Sequence, residues 1–91
     1  MPFQVGKIYE RIEDRFPNDR RIYMFLAGTE TQIALYPGDK LMILELQYIK
    51  RVRARSGVDR EFKRFNEWHV KVLKDDQIGY CNLWEDEWKM L

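Results

Sequence analysis

The chain has 91 residues, of which 45% are apolar and 34% charged, and its formal net charge is +1. This composition excludes an intrinsically disordered chain and leaves room for a single domain with one modest core. No apolar run approaches the roughly 18 residues that a membrane span requires, and the first residues lack the apolar stretch of a signal peptide. Because Cys81 is the only cysteine, an internal disulfide is excluded, and we expect a cytoplasmic protein.

Short β-strands separated by turn signals are predicted along most of the chain. The candidate strands are residues 7–12, 21–27, 41–54 and 62–74. Pro37-Gly38-Asp39 predicts a type II turn, because proline presets its own φ and glycine tolerates the positive φ at the next position. This pattern is typical of a small barrel or sandwich, so the sequence predicts a mostly β protein.

The last ten residues change to a helical period. Asn82 and Glu85 have the spacing of a capping box, and acidic residues fill the turn that follows Asn82. One helical face collects Trp84, Trp88 and Leu91. We therefore expect a short helix over residues 83–90 that flanks or plugs the barrel.

Three segments occur in an order and spacing that resemble the Src-homology-3 domain. They are residues 33–45 (IALYPGDKLMILE), residues 67–72 (EWHVKV) and residues 77–80 (QIGY). In that family a Gly-Asp turn opens a strand, a Trp opens a later strand and a Gly-Tyr pair closes the barrel. With residues 21–25 (RIYMF) as the family's first aromatic strand, the resemblance covers residues 21–82. It implies a barrel of five or six strands, with residues 1–20 as an N-terminal addition.

The same resemblance implies a surface for a protein partner. Members of the family bind proline-rich peptides in an aromatic groove, and the residues that resemble or extend that groove are Trp68, Tyr23, Phe25 and Tyr36. The family's Pro-Ser-Asn-Tyr segment is replaced by Asn82-Leu-Trp-Glu85, and Met24 occupies an acidic position of the family. The resemblance therefore implies an interaction module that uses an aromatic surface or a strand edge, without a defined proline-rich ligand.

Residues 41–54 carry an apolar pattern that changes face. The resemblance places Leu41 and Ile43 inside the barrel, whereas Leu46, Tyr48 and Val52 have the opposite parity. A strand exchanges its inward face only by inserting an extra residue. The sequence therefore predicts a bulge or sharp bend near residues 44–46.

Residues 50–64 concentrate positive charge, with seven basic residues against only Asp59 and Glu61, a net charge of +5. The basic residues are Lys50, Arg51, Arg53, Arg55, Arg60, Lys63 and Arg64. A hairpin turn centred on residues 57–58 would pair Arg55 with Arg60, Arg53 with Phe62 and Arg51 with Arg64. Like charges on opposite strands repel each other.

Three interpretations of this basic hairpin remain open. It binds nucleic acid in a groove or along the phosphate backbone, it binds an acidic protein, or it is a solvated face that uses acidic neighbours and protects a strand edge.

The remaining reactive residue types form no catalytic pattern. One histidine, His69, and one cysteine cannot make a structural zinc site, and a nucleophile would need a partner base. The five glycines are scattered and form no phosphate loop. We therefore expect a non-enzymatic protein without metal or cofactor. Protein binding is the first hypothesis, nucleic-acid binding the second and a small enzyme the third, and the oligomeric state stays open.

Overall fold

The computed structural model describes residues 3–12, 22–55 and 62–91. Strand accounts for 70% of the structure, and seven antiparallel strands form one sheet that curls into a half-barrel. The strands are β1 (Ile8–Arg11), β2 (Ile22–Leu26), β3 (Gln32–Leu35), β4 (Lys40–Arg55), β5 (Phe62–Lys74), β6 (Gln77–Trp84) and β7 (Trp88–Met90). Their order in the sheet is β3-β2-β6-β5-β4-β1-β7. The prediction of a mostly β protein is confirmed, with seven strands in place of five or six.

Two tight turns connect consecutive strands, one from β3 to β4 and one from β5 to β6. Asp39 donates its main-chain N–H to the carbonyl oxygen of Tyr36 (2.9 Å), and Gly38 has a φ of +94°. This is the predicted turn, with proline and glycine in the positions that a type II turn requires. Asp75 and Asp76 both have positive φ and join β5 to β6 as a two-residue hairpin.

Strand β4 contains two bulges. Its register against β5 shifts between Ile43 and Glu45 and again between Leu46 and Tyr48. The first shift confirms the bulge that the sequence predicts near residues 44–46. The second was not predicted, and it places Leu46 and Tyr48 on opposite faces of the sheet. Because two single-residue insertions restore the original parity, the end of β4 continues the alternation that begins at Leu41.

The prediction of a helix over residues 83–90 is wrong. Strand β6 continues to Trp84, a 3-10 turn covers Glu85–Glu87, and β7 follows. An isolated helix of about eight residues is marginal in water, whereas extending β6 adds main-chain hydrogen bonds to β5, with Leu83 opposite Trp68. Gly79, Cys81 and Leu83 are buried in alternation, so the period of two continues past the apparent capping box.

The core lies on one face of the sheet, which we call the core-side face; the opposite face is the outer face. The buried apolar residues are Phe3, Tyr9, Ile22, Met24, Leu35, Leu41, Ile43, Trp68, Val70, Val72, Cys81, Leu83 and Trp88. Trp68, Val70 and Val72 share this face, as their spacing in β5 predicts. The buried charged residues of the described segments are Arg11 and Glu87.

Candidate functional site

The ends of β4 and β5 form a two-stranded ribbon that extends beyond the rest of the sheet. We call residues 48–55 and 62–66 the basic ribbon. Strand β1 pairs with β4 only at residues 40–42, and β6 pairs with β5 only at residues 67–74. In the described part of the chain, no third strand lies along either edge of the ribbon. The ribbon therefore extends beyond the end of the core.

The register of the ribbon differs from the predicted one by two residues. Arg53 lies opposite Arg64, Arg51 opposite Asn66 and Arg55 opposite Phe62. The predicted pairings of Arg51 with Arg64 and of Arg53 with Phe62 were therefore wrong, because the two bulges of β4 shift its register against β5 by two residues. The repulsion between like charges is retained at a different pair. The predicted turn at residues 57–58 and Arg60 lie outside the described residues, as do the side chains of Arg55 and Lys63.

Three arginines occupy one face of the basic ribbon. The register puts Arg51, Arg53 and Arg64 at core-side positions, beyond the end of the core, and all three are exposed. Arg51 Nη1 donates a hydrogen bond to Asn66 Oδ1 (3.0 Å). The guanidinium carbon of Arg53 lies 4.6 Å from the centroid of the Phe62 ring, within the range of a cation–π contact.

These arginines have no close acidic partner among the residues that the structure describes. No described carboxylate oxygen lies within 4.0 Å of the guanidinium nitrogens of Arg51, Arg53 or Arg64. Glu85 and Asp86 line a cleft of about 310 Å³ together with Arg51 and Arg64. This arrangement agrees in part with the solvated interpretation, because an acidic turn borders the base of the ribbon.

Trp68 belongs to the core and does not lie on an exposed aromatic surface. Its side chain is 4% exposed, its ring meets Phe3 edge-on at 5.6 Å, and its Nε1 donates to Glu85 Oε1 (2.9 Å). Burial follows from its position directly opposite Leu83 on the core-side face. The prediction that Trp68 anchors a surface groove therefore does not fit its position.

The other predicted aromatic residues are spread over the outer face and one turn. Tyr23 is half-buried and Phe25 is exposed. Both lie on the outer face of β2, because the residues that alternate with them, Ile22 and Met24, are buried in the core. Tyr36 is exposed at the start of the type II turn. Because Trp68 points to the opposite face of the sheet, the four residues do not form one surface.

The outer face carries a network that sequence reasoning missed. Tyr48 stacks on His69 with ring centroids 4.1 Å apart, and His69 Nε2 lies 3.0 Å from Glu67 Oε1. Glu67 Oε2 accepts a hydrogen bond from Trp84 Nε1 (3.2 Å), and the Trp84 ring stacks on Phe65. His69 faces outward, but Tyr48 covers it. Only the second bulge brings Tyr48 opposite His69, so no spacing in the sequence indicates their contact.

Cys81 has no reactive environment. Burial raises the pKa of its thiol to about 12, so the thiol stays protonated at neutral pH, and the thiolate is the nucleophilic form. Among the described residues, no group of three or more His, Cys, Asp or Glu side chains is arranged to hold a metal ion.

Comparison of the chain with protein-family models, with curated proteins and with solved structures gives no match. The resemblance to the Src-homology-3 domain stays a prediction. Within the described segments, no helix has the length and hydropathy to cross a bilayer.

Proposed function

We propose that this protein binds nucleic acid through the basic ribbon. The observation that supports the proposal is the position of Arg53 directly opposite Arg64, with Arg51 on the same face and no described carboxylate within 4.0 Å of the three. Like charges opposite one another in a ladder are unfavourable. A phosphate between them removes that repulsion and accepts hydrogen bonds from the planar guanidinium groups.

The shape of the ribbon agrees with this function. A two-stranded β-ribbon fits the major groove of a duplex, which is about 12 Å wide, and it can also follow a phosphate backbone. Because the whole chain has a net charge of only +1, electrostatic attraction is confined to the ribbon.

A salt-dependent titration tests the proposal. Fluorescence anisotropy of a labelled oligonucleotide should show binding that weakens as salt rises, with a slope that falls by about 0.7 to 0.9 for each phosphate contact removed. The triple variant Arg51→Gln, Arg53→Gln and Arg64→Gln should lose most of the affinity. The matched control changes Lys7, Lys40 and Lys89 to Gln, which alters the net charge equally outside the ribbon. Absence of binding at low salt, or equal losses in the two triple variants, contradicts the proposal.

The free edge of β4 supports a second candidate function, the binding of a protein partner. Strand β1 pairs with this edge only at residues 40–42, and Ile43 forms hydrogen bonds with Gly6 and Lys7; no described strand pairs with the rest of the edge. Tyr48 and Ile49 are exposed there, beside a cleft of about 260 Å³. An extended peptide can add to such an edge and insert an apolar side chain into the cleft. The two bulges weaken this candidate, because irregular edges resist pairing.

Capture from a nuclease-treated lysate tests the second candidate. Ile49→Asp should remove the captured protein, whereas Ile78→Asp, at an exposed position on β6, should retain it. Equal capture by the two variants counts against the β4 edge, and loss of the captured protein on nuclease treatment indicates a nucleic-acid bridge.

A further inference from the structure

Phe62 is an exposed aromatic residue on the face of the ribbon that carries the arginines. Its side chain is 54% exposed and lies outside the hydrophobic core cluster. It begins β5 and has the same parity as Arg64, so its ring is presented on the core-side face. The Arg53 guanidinium packs over this ring at 4.6 Å. An aromatic ring and a guanidinium group are therefore combined at a position where neither supports the core.

This combination has the chemistry of a stacking platform. Nucleobases stack on aromatic rings and on guanidinium planes, and such stacking does not depend on the identity of the base. Backbone phosphates are held by neighbouring cations, and Arg51 and Arg64 lie on the same face as the platform. The residues that could stack on a base and those that could bind its flanking phosphates thus lie within one short stretch of the ribbon.

We infer that the ribbon recognises single-stranded nucleic acid, with a nucleobase stacked on the Arg53–Phe62 pair and phosphates bound by Arg51 and Arg64. This inference rests on the nucleic-acid function proposed above and adds the class of substrate. In a duplex each base is covered on both faces by the neighbouring bases. The Phe62 ring can therefore stack on a base only if two neighbouring bases are separated, which costs free energy. A base in a single strand can stack on the ring without this cost.

Substitutions at Phe62 separate stacking from charge. Phe62→Leu keeps an apolar side chain but removes the ring, and it should weaken binding to single-stranded DNA and single-stranded RNA by about 5- to 150-fold, the range measured for one stacked base. The salt dependence of binding should not change, because no charge is lost. Phe62→Tyr retains the ring and should bind as the wild type does. Binding of the duplex of the same sequence should be weaker and insensitive to both substitutions.

A fluorescent variant gives an independent measurement. Phe62→Trp places an indole on the platform, and stacking of a base should quench its emission more than the emission of the wild-type protein, whose tryptophans are Trp68, Trp84 and Trp88. Preference for duplex, or unchanged single-strand affinity in Phe62→Leu, overturns the inference and leaves the proposed function in place. Failure to bind any of the three nucleic acids overturns both.

Discussion

Arg11 on β1 donates a hydrogen bond from its guanidinium Nη1 to the main-chain carbonyl oxygen of Leu35 at the end of β3. Strands β1 and β3 lie towards opposite ends of the sheet order, so this contact joins the two sides of the half-barrel. The main chain of Arg11 also forms two hydrogen bonds of 2.8 Å with the type II turn. Its N–H donates to the carbonyl oxygen of Asp39, and its carbonyl oxygen accepts from the N–H of Gly38. The buried arginine therefore connects β1 to the end of β3 and to the turn that follows it.

Replacing Arg11 tests the contribution of this contact to stability. Arg11→Met preserves much of the side-chain length but leaves the buried carbonyl oxygen of Leu35 without its donor, which should lower the free energy of unfolding by about 1–3 kcal/mol. Arg11→Lys keeps a cationic donor and should lose less. Urea unfolding followed by circular dichroism measures both variants. A midpoint for Arg11→Met equal to that of the wild type would show that the bond adds no net stability.

Trp68 should behave as a core residue. The substitution Trp68→Ala should lower the free energy of unfolding by about 3–5 kcal/mol, because it opens a large cavity among well-packed side chains. Tyr36→Ala, at a position that is 66% exposed, should stay within about 0.5 kcal/mol of the wild type. Thermal unfolding compares the two directly. A stable Trp68→Ala protein would contradict the burial of Trp68 and restore its candidacy as a surface anchor.

The sequence was sufficient to predict β1, β2, β4 and β5 because their signals are local. Pro37-Gly38 defines a turn by its backbone preferences, and the alternation of Trp68, Val70 and Val72 defines a strand face. The first bulge was also predictable, since it reconciles two apolar runs of opposite parity. The second bulge has no such signal, because Gln47 follows Leu46 without breaking the apparent alternation.

The errors at the ribbon and at the C-terminus arise from long-range pairing. Whether Arg51 faces Arg64 or Asn66 depends on two insertions in β4, not on the hairpin residues. Trp84 matches a helical face in spacing, but hydrogen bonds to β5 and stacking on Phe65 hold it in a strand. The basic composition of residues 50–64 was visible in the sequence, which also brought Arg53 and Phe62 together, although as directly opposite residues. In the structure Arg53 lies opposite Arg64 and contacts the Phe62 ring diagonally.

Gly79 should not tolerate a side chain. A Cβ atom at this position would lie 2.5 Å from the carbonyl oxygen of Phe25 and 2.8 Å from Met24 Cε, because β6 packs closely against β2 there. Gly79→Ala should therefore lower stability by about 1–3 kcal/mol through overpacking. Gly28→Asn is the control, since nothing lies within 4 Å of a Cβ at residue 28, and asparagine tolerates positive φ. Equal urea midpoints for the two variants would contradict the close approach of the strands.

Cys81 predicts a loss of stability at alkaline pH. Burial raises the pKa of its thiol from 9.0 to about 12, so the fold favours the protonated form. The resulting stabilisation is complete below the pKa of the unfolded chain and is lost as pH rises from 9.0 towards about 12. The difference in unfolding free energy between wild type and Cys81→Ala isolates this effect from the titration of lysines and tyrosines.

In that comparison the free energy of unfolding of the wild type should fall relative to that of Cys81→Ala as the pH rises above 9.0. A thiol reagent provides a second measurement. At neutral pH it should label the native protein far more slowly than the protein in urea, because the reactive thiolate is scarce in the fold and the sulfur is covered. Labelling at the same rate in both states would show that Cys81 is accessible in the native protein, and a stability difference that does not change with pH would show that folding does not raise the pKa of its thiol.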